Sequence, residues 1–188
     1  MKNSNKIAFL ATALFTITGF IANAQTSSKT DSYGSEIRYS IGADAGIPVG
    51  SFNTAYNWSI GGSIQADFPI IKEQLYATAN AGFNNFFAND AGLNDVNMIP
   101  VKLGLKYFPV KYFYVQGEAG AAFISNKASL QADKTAVFVY APQVGTLIGL
   151  GGRNYLDIGA RFEGNTKFYN AGSSANFVAL RVAYAFGL

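Results

Sequence analysis

Asn97-Met98-Ile99-Pro100-Val101-Lys102-Leu103-Gly104-Leu105-Lys106-Tyr107-Phe108 decides the reading of this chain. Ile99, Val101, Leu103, Leu105 and Tyr107 fall on one parity and both lysines on the other. An apolar/charged alternation of period two is the mark of a β-strand with two unlike faces, because successive side chains point to opposite sides of the pleat. The same contrast appears on both sides of this segment. Arg38 and Asp44 share a parity opposite to Ile37, Tyr39, Ile41, Ala43, Ala45 and Ile47, and Asp157, Arg161 and Glu163 share a parity opposite to Leu156, Ile158, Ala160 and Phe162. Chance would align the charges of these three strands about one time in sixteen, given a side-chain period of two.

Working outward, eight such segments can be placed: Glu36–Ile47, Trp58–Ile70, Leu75–Asn85, Asn97–Phe108, Phe113–Phe123, Val137–Leu150, Tyr155–Glu163 and Phe177–Leu188. Each is roughly ten residues long, the length that crosses a bilayer as a tilted strand. The connections alternate. Pro48–Asn57, Phe86–Val96, Ile124–Ala136 and Gly164–Asn176 are long, whereas Ile71–Gln74, Pro109–Tyr112 and Gly151–Asn154 are short.

Composition narrows the class. The 188 residues are 49% hydrophobic and only 13% charged, with Gly 20, Tyr 11 and Phe 16; a soluble domain is nearer about a quarter charged. Cys and His are both absent, which excludes disulfides, thiolate zinc sites, Cys nucleophiles and His-based triads. Residues 1–24 combine Lys2 and Lys6, an apolar run from Ile7 to Ile21 and Ala22-Asn23-Ala24, the pattern of a cleaved export signal. No Cys follows it to carry a lipid anchor. Its removal takes two lysines, so the net charge falls from +3 to +1 and gives no ground for nucleic-acid binding. Residues 25–35 are polar and patternless and read as a flexible periplasmic leader; residues 36–188 carry the strands.

Alternation alone does not say which face is inside. Long connections on one end and short ones on the other fit an outer-membrane barrel, which has short periplasmic turns and long extracellular loops. The aromatics fall the same way. Tyr39, Phe68, Tyr107, Phe113, Tyr184 and Phe186 lie near one rim of the apolar face, and Trp58, Phe83, Phe123, Phe138, Tyr140 and Phe162 near the other. Two aromatic belts around an aliphatic band suit two lipid–water interfaces. The expected fold is therefore an all-β, eight-stranded antiparallel up-and-down transmembrane barrel.

The chain ends on Leu180-Arg181-Val182-Ala183-Tyr184-Ala185-Phe186-Gly187-Leu188, an amphipathic strand resembling the C-terminal signal read by the outer-membrane assembly machinery. With Met98–Phe108, Phe113–Gly120 and Tyr140–Gly145, it resembles the small outer-membrane β-barrel family, the porin-like or OmpA-like barrels, in its Bacteroidetes form. The resemblance spans nearly all of residues 25–188. It implies a Gram-negative outer-membrane location, contact with outer-membrane lipid and no cofactor. Larger members add a periplasmic peptidoglycan-binding domain; the sequence stops at the barrel, so that role is not expected here.

In this register Arg38, Asp44, Asp67, Lys102, Lys106, Glu118, Asp157, Arg161, Glu163 and Arg181 point into the lumen, five basic and five acidic. Eight strands enclose a space that side chains just fill, and unpaired buried charge is costly. A neutral ion-paired network is expected, with Gln65, Gln116, Gln143, Asn80 and Asn84 as hydrogen-bond partners. It is either structural or the lining of a narrow ion path, and the small bore favours the former. Asp157 and Glu163 are too far apart on one strand for acid–base work. Asn89–Asp95 lacks the regular acidic spacing of a calcium loop, and no catalytic, cofactor or metal site is expected. Phe86, Phe87, Phe168 and Tyr169 are the expected exposed anchors for an extracellular or envelope partner, since recognition concentrates in loops. Two other readings remain: a narrow porin-like channel, and a soluble lipocalin-like carrier with charges outside and aromatics inside.

Overall fold

The computed structural model describes residues 36–90, 92–126, 134–167 and 174–187. The export signal, the leader, Phe168, Tyr169 and Leu188 lie outside the described residues. Eight strands follow in order: β1 (Arg38–Val49), β2 (Tyr56–Ile71), β3 (Leu75–Ala88), β4 (Val96–Val110), β5 (Phe113–Ile124), β6 (Ala136–Gly151), β7 (Asn154–Asn165) and β8 (Ala175–Gly187). Each pairs antiparallel with its sequence neighbours, and β1 pairs with β8 from Arg38↔Gly187 to Val49↔Asn176, which closes the barrel. Closure leaves no strand edge unpaired, the condition for a sheet to stand in hydrocarbon.

The faces are inverted relative to a soluble barrel. Leu103 is 67% exposed and Ile64 59%, whereas Lys106, Glu163 and Arg181 are all at 0%. The expected outward row of β4 (Ile99, Val101, Leu103, Leu105, Tyr107) is exposed throughout. This disposition is the reverse of what a soluble carrier needs.

The strands run further than the alternation indicated. β3 continues through Asn85 to Ala88, and β2 begins at Tyr56. The long connections are correspondingly shorter, and the first folds residues Gly50–Thr54 into a 3-10 turn. On the opposite end β4–β5 and β6–β7 are joined by two-residue turns. Gly151 and Gly152 take φ 108 and φ 58, left-handed values that a Cβ disfavours, and this lets β6 reverse into β7 so tightly.

Four of the five prolines lie in strands at places where pairing falters. The β3–β4 register has no pairs between Ala81↔Val101 and Asn84↔Met98, around Pro100, and the β6–β7 register none between Tyr140↔Gly164 and Gln143↔Arg161, around Pro142. Register shifts fall at Pro69/Ile71 and between Tyr107 and Val110, around Pro109. Proline has no N–H to give a ladder, so each breaks pairing locally without opening the barrel.

Candidate functional site

The inward positions form three layers. At the long-loop end Phe86, Val96, Met98, Val137, Val139 and Phe177 make an apolar cluster. Phe52, carried by the 3-10 turn, folds over it, with ring centroids 5.2 Å from Phe86 and 4.6 Å from Tyr56. At the short-turn end Tyr76, Phe108, Tyr114 and Leu147 form a second cluster. The charges lie between. Apolar layers thus cap a charged middle, a layering that the list of inward charges did not indicate.

Every one of the ten expected lumen charges is in an ion pair, and they divide into two groups. In the first, Lys102 Nζ lies 2.7 Å from Glu163 Oε2 and 3.6 Å from Glu118 Oε2. Arg161 Nη2 is 2.9 Å from Asp44 Oδ1, and its Nε is 3.5 Å from Glu163 Oε2. Thr78 donates its hydroxyl to Glu118 at 3.1 Å. In the second, Lys106 Nζ lies 2.8 Å from Asp67 Oδ2 and 3.4 Å from Asp157 Oδ2, which also faces Arg181 Nη1 at 3.4 Å. Arg38 Nη1 reaches Asp67 only at 3.7 Å. Three acids against two bases leave the first group at −1; two acids against three bases leave the second at +1. Ser63 joins them, donating to Asp44 at 2.8 Å and accepting from Arg181 Nε at 3.0 Å.

Of the expected amide partners, Gln65 donates to Asp67 at 2.6 Å, accepts from Asn80 at 3.1 Å and exchanges bonds with Gln116 at 3.3 and 3.4 Å. Gln143 donates to Tyr114 Oη at 2.6 Å, and Tyr114 donates to Asp157 at 2.6 Å. Asn84 is buried on the same face. The sequence reading missed Tyr114, Ser40, Ser63 and Thr78. Parity with Glu118 places Tyr114 inward, and that signal was available. A Cβ on Gly145 or Gly159 would collide with the Tyr114 ring or hydroxyl, so these two inward glycines make room for it.

The loop anchors require a correction. Phe86 is not an exposed loop residue. It lies in β3, fully buried, edge-on to Phe177 at 4.9 Å. Phe87, also in β3, faces outward and stacks on Trp58 at 4.3 Å as part of the aromatic rim. In the β3–β4 connection Asp95 accepts from the Ala88 N–H at 3.1 Å, and Asn89 donates to the carbonyls of Asn53 and Thr54. The acid there closes the loop upon itself and the amide ties it to its neighbour.

The fold is that of small outer-membrane barrels. The chain is similar to outer membrane protein AlkL, with a TM-score of 0.52 at 14% identity over 88% of this chain and 96% of that one. It is similar to Ail of Yersinia pestis, TM-score 0.51 at 16% identity over 81% and 99%. It is likewise similar to OprG of Pseudomonas aeruginosa, TM-score 0.50 at 9% identity over 83% and 97%. No family model and no curated protein matches the sequence.

Proposed function

We propose that this chain is a non-enzymatic integral protein of a Gram-negative outer membrane, exported by residues 1–24, with its long loops outside and its short turns toward the periplasm. It serves the envelope as a structural element or through surface contacts made by those loops. The observation that carries this reading is the inverted pattern: bulky aliphatics stand exposed around a band, while ten charges neutralise one another within. Only a hydrocarbon surround makes such an exposed face favourable. The sequence resemblance to OmpA-like barrels of the Bacteroidetes kind and the fold shared with AlkL, Ail and OprG support it. The C-terminal strand would be the element presented to the assembly machinery. The ion-paired middle and the two apolar layers favour a plugged lumen over a narrow channel.

Cold against boiled SDS-gel mobility of protein from a washed outer-membrane fraction tests the reading. A mobility shift on boiling is expected. Recovery in the soluble periplasmic fraction with no shift would overturn it. Planar-bilayer recording then tests the plug: steady conductance changed in ion selectivity by Lys102→Glu would establish the channel instead.

A further inference from the structure

The short-turn end of the barrel opens into a cavity of about 390 Å³, a size ordinary for small-ligand sites. Its charged lining residues are Arg38, Lys72, Lys111 and Glu73, three cations against one acid. Arg38 is set among three rings, with Cζ 5.0 Å from the Tyr76 centroid, 5.1 Å from Tyr155 and 5.8 Å from Phe108. Among the described residues its only carboxylate is Asp67, at 3.7 Å, and Asp67 is already taken by Lys106 at 2.8 Å and Gln65 at 2.6 Å. Arg38 Nη1 is buried without a hydrogen bond, and Nη2 has only a 3.4 Å contact to Tyr76 Oη. A guanidinium normally engages a carboxylate through two parallel bonds. Among the described residues that fork is unfilled, in the lumen group that carries the surplus positive charge.

We propose that this mouth is a binding site for a small carboxylate carried on a flat apolar body. The carboxylate bonds Arg38 and the body lies against Phe108, Tyr155 and Leu147, while Lys72 and Lys111 draw it in from the rim. A planar anion matches the fork, and aromatic walls favour a flat apolar body over a hydrated phosphate. The assignment does not depend on which compartment the mouth faces.

Benzoate is the probe, with benzamide as its neutral isostere and inorganic phosphate as the competing oxyanion. Each is titrated into the refolded, arginine-15N-labelled full barrel while the side-chain Nε–H signals of Arg38, Arg153, Arg161 and Arg181 are followed by NMR. Benzoate is expected to move Arg38 saturably, leaving Arg161 and Arg181 in place. Lys72→Gln with Lys111→Gln should weaken it about threefold to tenfold, the range of two exposed charge contacts. Arg38→Lys, which keeps the charge and loses the fork, should weaken it further, read from the broadening of benzoate's own proton signals, with Arg161 and Arg181 signals reporting that the lumen is intact. No saturation at Arg38, an equal response to benzamide, or phosphate binding as tightly as benzoate would each overturn the proposal.

Discussion

Loss of Lys102 strands buried carboxylates in the lumen. Its ammonium is fully buried between Glu163 at 2.7 Å and Glu118 at 3.6 Å. Lys102→Met keeps the bulk and removes the charge, leaving three carboxylates with Arg161 as their one cation. Glu163 would keep Arg161 Nε at 3.5 Å, but Glu118 would keep only the Thr78 hydroxyl at 3.1 Å. Breaking one side of a buried pair costs about 3–5 kcal/mol, because the other charge stays behind uncompensated. With a urea dependence of about 2 kcal/mol per molar, the unfolding midpoint should fall by about 2 M. Glu118→Gln in the same background removes the stranded charge while its amide oxygen still accepts from Thr78, so the double variant should recover most of the loss. Urea titration in lipid vesicles, read by Trp58 fluorescence and by the SDS-resistant gel band, measures both. A midpoint for Lys102→Met within about 0.5 M of the parent, or a double variant no better than the single, would refute the charge reasoning, since coupled pairs must be non-additive.

Other perturbations separate the layers. Leu103→Arg, on the exposed aliphatic band, should destabilise the lipid-embedded barrel by about 2–4 kcal/mol; a neutral result in vesicles would count against a hydrocarbon surround. Glu73 sits at φ 62 in the β2–β3 turn, and Glu73→Gly should raise stability by about 1 kcal/mol in the same titration. Phe52→Ala empties the cap over the long-loop cluster and should cost about 3 kcal/mol, the low end for a buried phenylalanine because the site lies at the rim. Differential scanning calorimetry in detergent checks it, and an unchanged melting temperature would place the 3-10 turn outside the folded unit.

Much of this arrangement was legible because a two-residue period is unforgiving. Once Lys102 and Lys106 fix the parity of β4, a one-residue slip would put both lysines in lipid, so which face turns inward follows from sequence alone. The alternating turn lengths then told the two ends apart. Strand ends were less legible. Phe86, Phe87 and Ala88 look like the start of a loop, yet β3 continues through them because β2 offers Ser59, Trp58 and Tyr56 as their partners across the ladder. The same misjudged boundary turned Phe86 into an apparent surface anchor. The layering was also hidden: Phe86, Met98, Val139 and Phe177 share the inward parity with the charges, and only their height in the closed barrel groups them. Which charges meet was not readable either, since the partners of Arg161 and Lys102 come from β1, β5 and β7.

The seam between β1 and β8 sets the order in which the barrel must be made. Arg181, on the last strand, bonds Ser40 across 141 residues of chain and Ser63 across 118. Arg161 likewise reaches back 117 residues to Asp44. None of these contacts can form in a partly assembled sheet, however many hairpins are already in place. This part of the lumen network therefore offers no reward to early folding and gives it to the final closing step, unlike adjacent-strand contacts such as Lys102–Glu118. Long loop closures that precede their contacts make for slow, all-or-none acquisition of structure. Before that step the inward charges are best served by water, so hydration of the unclosed sheet and its expulsion on closure belong to the folding barrier. Substitutions at Ser40, Asp44 and Arg181 should accordingly act mainly on how fast the finished barrel comes apart.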